Sequence, residues 1–164
     1  MPRKPLKIIG INPGTRYLGI AVLQGSELRD WRVKVLKGKW SKEKMKKAIE
    51  IISEFIECYE RGVLAIKKLH PSRRSRNLVQ LAARIKEFSK RKGLKVYQYS
   101  IKDVEEFFIE EDKLNKKNLV EAIISEYPAL FHELKREKSH KNPYFIRMFE
   151  AVALAALCFH HLDK

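Results

Sequence analysis

Residues 7–23, KIIGINPGTRYLGIAVL, decide the fold of this chain. The stretch contains two short apolar runs, and a Pro13-Gly14 turn separates them. Runs of this length, bounded by turn residues, predict two β-strands, and the unbroken first run is typical of a central strand buried on both faces. The first strand ends at Asn12, a polar neutral amide directly after an apolar run.

The remainder of the chain alternates between strand-like and helix-like segments. A third strand at 27–37 follows a Gly25-Ser26 turn and alternates in polarity, which indicates an edge strand with one buried face. Ser41 is a plausible N-cap for the helix that follows. Further strands are predicted at 63–67 and 94–100, and helices at 42–61, 78–90, 101–109, 115–127, around 129–135, and 144–162. This order predicts an α/β fold with a five-stranded mixed sheet, three antiparallel strands and then two parallel ones, flanked by helices.

Length and charge limit the classes of protein to consider. With 164 residues, 45% of them hydrophobic, we expect a single domain over 1–164. The chain has 35 Lys and Arg against 20 Asp and Glu, a formal charge of +15. Such an excess favours a polyanionic partner such as nucleic acid, because neutralised phosphates release counterions. A charged surface of the kind found in heat-adapted proteins is the alternative explanation.

The cysteines and the apolar runs bear on the cellular compartment. Cys58 and Cys158 lack metal-ligand or disulfide spacing and lie in apolar helical patterns, so we expect buried thiols in a reducing compartment. The basic N-terminus lacks the pattern of a signal peptide, and no apolar run was expected to approach the ~20 residues that cross a bilayer. We therefore expect a cytoplasmic protein without a membrane partner.

Four segments, in order, resemble the RuvC-type Holliday-junction resolvases of the ribonuclease H-like superfamily. The segment IIGINPGTRYLGIAVL resembles their opening, in which the first strand ends in Asp-Pro-Gly-Ser/Thr-Arg. Their fourth strand is matched by VLAIKKLHPSRRSRN. Their fifth strand and the helix after it are matched by VYQYSIKDVEEFF with NKKNLVEAIISEYP, and their last helix by RMFEAVALAALCFHH. The resemblance spans essentially the whole chain. It implies a ribonuclease H-like fold, branched DNA as partner, and a homodimer.

The same resemblance identifies four positions where such nucleases carry the carboxylates that bind two Mg²⁺ ions. The matching residues here are Asn12, Lys67, Arg147 and Glu150. Only one acid is retained, and the substitutions shift the local formal charge by about five units in the positive direction. A cation ~4 Å from another unit charge costs ~4 kcal/mol at an effective dielectric of ~20. We therefore expect no catalytic residues, metal or cofactor, and a Lys67–Glu150 ion pair in the vacated site; direct contact of Lys67 with a phosphate is the alternative.

Basic residues cluster on segments that the resemblance places beside the cleft. The stretch from Lys67 to Arg76 holds five cations and no acid, which favours phosphate contact over a solvated loop. Trp40, in a second basic stretch at 32–47, either covers the core or stacks on a base. The predicted nucleic-acid-binding residues are Arg16, Lys67, Lys68, His70, Arg73, Arg74, Arg76, Lys116, Lys117, Lys138 and Lys141.

Three functions follow as hypotheses. The first is a protein that binds branched DNA or structured nucleic acid without cleaving it. The second is an active Mg²⁺-dependent junction endonuclease with relocated ligands such as Asp103, Glu105 or Glu106. The third is a nucleotide-binding protein, because the opening also resembles the phosphate loop of the actin-like ATPases; those proteins need a duplicated domain, for which 164 residues leave no room.

Overall fold

The computed structural model describes residues 5–59, 62–72, 75–133, 135 and 144–162. It contains one five-stranded sheet in the order β3-β2-β1-β4-β5. The strands are β1 Lys7–Asn12, β2 Tyr17–Gln24, β3 Glu27–Val35, β4 Val63–Lys67 and β5 Lys95–Tyr99. β1, β2 and β3 pair antiparallel, whereas β4 pairs parallel with both β1 and β5. The predicted mixed sheet is therefore confirmed.

Helices connect and flank the strands. They are α1 Lys42–Cys58, α2 Arg76–Arg91, α3 Ile101–Phe108, α4 Lys116–Glu126 and α5 Tyr144–Leu162, with short 3₁₀ turns at Glu111–Lys113 and Pro128–Leu130. The predicted N-cap of α1 is confirmed, because the Ser41 hydroxyl accepts a hydrogen bond from the Lys44 amide at 3.2 Å. A serine cap also begins α2, where the Ser75 hydroxyl accepts from Leu78 N at 3.1 Å. Each cap satisfies a backbone donor that the first helical turn leaves unpaired.

The strand register brings two sequence-distant residues to the same sheet edge. Ile11 of β1 lies opposite Ile66 of β4, and both side chains are buried. Asn12 and Lys67 are the next residues on these two neighbouring parallel strands, and each is the last residue of its strand. Parallel strands end at one edge of a sheet, which is where open α/β sheets usually carry their binding sites.

Two apolar layers cover the sheet. Along β1, Ile8 packs into the layer that contains α5, α4 and Val104 of α3, whereas Ile9 and Ile11 pack into the layer of α1 and α2. This split follows from the two-residue period of a strand, which sends successive side chains to opposite faces. The apolar residues of β1 therefore contribute to both layers.

Helix α5 lies with its backbone directly against the sheet. A Cβ added at Gly10 would stand 2.2 Å from the carbonyl oxygen of Ala151, and one added at Gly19 would stand 2.2 Å from that of Arg147. Any larger residue would therefore push the helix off β1 and β2. The two glycines fix the depth of the helix segment that carries Arg147 and Glu150.

The structure changes two of the minor expectations. Among the described residues, one helical stretch, Phe145–Leu162 in α5, is long and apolar enough to span a membrane, with a mean hydropathy of 1.4. The expectation that no apolar run approaches that length missed it; 61% of the stretch is buried within the protein, as in a core helix, so it is weak evidence for a membrane span. Cys158 is buried as predicted, but the prediction for Cys58 is wrong, since its thiol is exposed.

Candidate nucleic-acid interface

The ends of β1 and β4 meet α5 in a cluster of three polar side chains. The Lys67 ammonium lies 3.1 Å from Glu150 Oε2, and the Asn12 amide donates to the same oxygen at 3.0 Å. Asn12 is fully buried, and only 3% of the Glu150 side chain is exposed, against 23% for Lys67. A buried carboxylate needs such partners, because burial of an unpaired charge is costly. The predicted Lys67–Glu150 ion pair is therefore confirmed.

The amide of Asn12 has a defined orientation. Its nitrogen faces Glu150 and lies 3.4 Å from the Arg147 carbonyl oxygen, a second acceptor. A flipped amide would set its oxygen against the carboxylate and leave both acceptors facing each other. In the observed orientation Oδ1 is buried and accepts no hydrogen bond from any residue that the structure describes. The orientation keeps the amide nitrogen on the carboxylate, which is the acceptor with the negative charge.

Arg147 lies one helical turn before Glu150 on α5 and reaches a different part of the site. Its Nη1 is 3.4 Å from the Pro13 carbonyl oxygen and would be 3.1 Å from a Cβ at Gly14. The guanidinium therefore lies over the β1–β2 turn, next to the buried cluster. With Lys67 and Arg147 positive and Glu150 negative, the formal charges at these positions sum to a positive value.

This set of groups does not fit the metal pair that the fold family implies. Hard divalent cations require several anionic oxygens, and here Glu150 Oε2 already accepts from the Lys67 ammonium and the Asn12 amide. A cation within ~4 Å of Lys67 would meet a repulsion of ~4 kcal/mol at an effective dielectric of ~20. Across the described residues, no group of three or more His, Cys, Asp or Glu side chains could hold a metal ion.

The acids predicted as relocated metal ligands, Asp103, Glu105 and Glu106, all lie on or at the start of α3 and form no metal-binding cluster with other described residues. Asp103 Oδ2 accepts from the Ser100 amide at 2.9 Å, which completes a capping box at the start of α3. Glu106 lies 3.9 Å from the Lys102 ammonium in an exposed helical pair. Glu105 lies on the same helix and is half-buried. None of these acids belongs to a metal-binding cluster of described residues.

Several predicted nucleic-acid-binding residues lie exposed at the same sheet edge. The chain leaves β4 with the Lys68 amide donating to the Tyr99 carbonyl oxygen at 2.8 Å, and the Lys68 side chain points outward. His70 is exposed and accepts from the Ser72 amide at 3.1 Å, and Arg76 is exposed at the start of α2. Lys68 and His70 thus lie on the β4–α2 connection, between Lys67 at the end of β4 and Arg76 at the start of α2.

The other predicted contacts are distributed differently. Arg16 is exposed on the β1–β2 turn, with its guanidinium 5.3 Å from the centre of the Tyr17 ring. Lys117 is exposed on α4, and Lys116 is the first residue of that helix, with a side chain outside the described set. Arg73, Arg74, Lys138 and Lys141 lie outside the described residues.

Sequence reasoning missed a depression of about 540 Å³ beside the cleft. The sequence shows the basic stretch at 32–47 and Trp40. It does not show that Thr15 and Arg16 line the same depression as that stretch. The depression forms because β2 pairs with β3. Tyr17 lies opposite Val35, so the residues before Tyr17 and those after Val35 come together. Trp40 is partly buried and packs against the α1 and α2 layer, as predicted for a cover of the core, and its remaining surface lines the depression.

The strand order and the two covering layers define the ribonuclease H-like class of α/β fold. Within it, the protein is similar to the RuvC structure from Thermus thermophilus, with a TM-score of 0.73, 14% identity, and coverage of 95% of each chain. It matches T. thermophilus RuvC in complex with a Holliday junction substrate equally well, at 15% identity over 97% of this chain and 96% of that one. No protein-family model and no curated protein sequence matches the chain. The likeness establishes a RuvC-like fold.

Proposed function

We propose that the protein binds nucleic acid, with branched DNA the preferred form, at the edge where β1 and β4 end, and that it does not cleave its ligand through bound metal. The observation that carries the absence of metal-dependent cleavage is that Glu150 Oε2 already accepts hydrogen bonds from both Lys67 and Asn12. A nuclease of this fold needs that oxygen, and several more, for metal ions.

The nucleic-acid half rests on where the positive charge lies. Lys68 and His70 lie exposed on the connection that begins where β4 ends, and Arg76 is exposed at the start of α2, where the same connection ends. The ammonium of Lys67 and the guanidinium of Arg147 add positive charge within the cleft itself. The similar RuvC structure with a Holliday junction substrate makes a branched duplex the first ligand to test.

Binding is tested with a four-way junction and a linear duplex of the same sequence, titrated across salt concentrations of about 50–200 mM. We expect the affinity to fall linearly on logarithmic axes, and Lys68→Ala and Arg76→Ala each to reduce the slope by about one unit. Lys95→Ala is the matched control, because Lys95 is an exposed cation at the opposite end of β5. Salt-independent binding, or equal losses in all three variants, would contradict the proposal. Sedimentation of the complex distinguishes one bound copy from the dimer that the resemblance implies.

Cleavage is tested by incubating labelled junctions with Mg²⁺ or Mn²⁺. We expect intact junctions with the natural sequence, and measurable Mn²⁺ binding by calorimetry only after the combined change Asn12→Asp, Lys67→Glu and Arg147→Asp restores the carboxylates. Junction cutting by the natural sequence that disappears in Glu150→Ala would instead support an endonuclease with relocated ligands.

A further inference from the structure

The depression beside the cleft has walls that the sheet holds in place. One wall is the β1–β2 turn with Thr15 and Arg16; the other is the connection from β3 to α1, including Lys37 and Trp40. The Leu36 amide donates to the Arg16 carbonyl oxygen at 2.8 Å, so a backbone hydrogen bond joins the walls where β3 ends. The Lys44 ammonium closes the α1 side by donating to the Gly38 carbonyl oxygen. These two hydrogen bonds tie the connection that forms one wall to the β1–β2 turn and to α1.

The chemistry of the lining combines cations with aromatic rings. Arg16, Lys37 and Lys44 contribute positive charge, Tyr17 and Trp40 contribute rings, and none of the described residues that line the depression is acidic. Arg16 already stacks against Tyr17, with its guanidinium 5.3 Å from the ring centre. Aromatic faces beside cations are the means by which proteins hold unpaired nucleotides, since the base stacks and the phosphate binds the cations.

The depression adjoins the cleft directly. Gly14 lies under the Arg147 guanidinium, and the next residue, Thr15, lines the depression. One turn therefore separates the buried Asn12 cluster from the pocket, and a strand that crosses the cleft meets the pocket within a short distance. A volume of about 540 Å³ lies within the usual range of ~300–1,000 Å³ for small-ligand sites.

We propose that this pocket holds one unpaired nucleotide of a nucleic-acid strand that runs across the cleft. The base stacks on Trp40, and the adjoining phosphate is bound by Arg16 and Lys37. The inference rests on the proposed function for the identity of the ligand, but it assigns a separate site with its own readout. A free mononucleotide shares the same chemistry, and the experiment distinguishes it from the strand.

The readout is the fluorescence of Trp40. The chain has two tryptophans, so Trp31→Phe leaves Trp40 as the single tryptophan, whose emission is separated from that of the tyrosines by selective excitation. Titration of this protein with an oligothymidylate of about eight nucleotides is expected to quench the emission. Adding Trp40→Ala is expected to weaken binding, measured by anisotropy of a labelled oligonucleotide, at least about fivefold, whereas Trp40→Phe retains most of the affinity.

Two charge variants keep the test independent of folding. Lys37 and Lys39 are exposed cations on the same connection, but only Lys37 lines the pocket. We expect Lys37→Ala to lower the salt slope of oligonucleotide binding by about one unit and Lys39→Ala to leave it unchanged. Unquenched Trp40 emission, or equal effects of the two variants, would overturn the inference.

The remaining arms separate the pocket from the cleft and from a free-nucleotide site. Thymidine monophosphate that binds as tightly as the oligonucleotide would refute a strand-binding pocket. Junction binding that persists in full while Trp40 emission stays unchanged on oligonucleotide addition would refute the pocket and leave the proposed function standing. Loss of junction binding with retained Trp40 quenching would refute the proposed function alone.

Discussion

Removing the Lys67 ammonium should expose how much the cleft depends on its ion pair. The change is Lys67→Met, which keeps an unbranched apolar stem and leaves Glu150 without its cation. Only 3% of the Glu150 side chain is exposed, so the carboxylate cannot recover its hydration. Breaking a buried pair costs about 3–5 kcal/mol, and the retained Asn12 donor places this variant at the lower end, about 3 kcal/mol. That loss lowers the melting temperature by about 6–12 °C in a chain of this size.

The assay is urea unfolding of the single variants and of their double-mutant cycle. Glu150→Gln should cost about 1 kcal/mol, because the amide keeps its shape and an acceptor while Lys67, 23% exposed, can turn to solvent. The double variant should cost no more than Lys67→Met alone. Lys102→Met is the control, since the exposed Lys102–Glu106 pair at 3.9 Å should contribute less than about 1 kcal/mol. A Lys67→Met loss equal to that of Lys102→Met would refute the reasoning.

Two further predictions address the core. At pH 8, a thiol reagent should label the exposed Cys58 quickly. Cys158 should react only in denaturant, because burial raises the pKa of its thiol to about 11. Two fast thiols in the folded protein would contradict this. Gly10→Ala should destabilise the protein by about 3 kcal/mol or more in urea unfolding, because its Cβ would clash with the Ala151 carbonyl oxygen. Gly38→Ala meets no atom within 4 Å and should cost only the ~1–2 kcal/mol of its positive φ, and similar losses in both variants would contradict the close contact.

The fold was predictable from local pattern, and the buried pair from the resemblance, which identified Lys67 and Glu150 as matching positions. Short apolar runs separated by Pro13-Gly14 and Gly25-Ser26 allow only tight antiparallel connections, and the later strands, separated by helical segments, must run parallel. Once β1 and β4 are parallel neighbours, Asn12 and Lys67 end at one edge, and the resemblance added Glu150 from the last helix. The Lys67–Glu150 pair then follows, because an unpaired buried carboxylate would be costly.

Other features depend on geometry that spacing does not fix. Cys58 lies three residues after the buried Phe55, a spacing typical of a core position, yet α1 ends at Cys58 and its thiol is exposed. Helix ends are the least certain part of any sequence pattern. The pocket beside the cleft forms across the pairing of Tyr17 with Val35, so it joins residues about twenty positions apart that no linear motif connects.

The contact of α5 with Gly10 and Gly19 bears on how the cleft responds to changes in the charge of its side chains. The helix is held at its depth by the carbonyl oxygens of Arg147 and Ala151, which face bare strand backbone at these two glycines. Hydrogen bonds from Asn12 and Lys67 to Glu150 add side-chain ties between the strands and the same helix. A change of charge at Lys67 or Glu150 therefore removes ties between α5 and the strands but leaves the close backbone contacts at Gly10 and Gly19 in place. For protein engineering, these backbone contacts are the part of the frame to preserve when the charge of the cleft is redesigned.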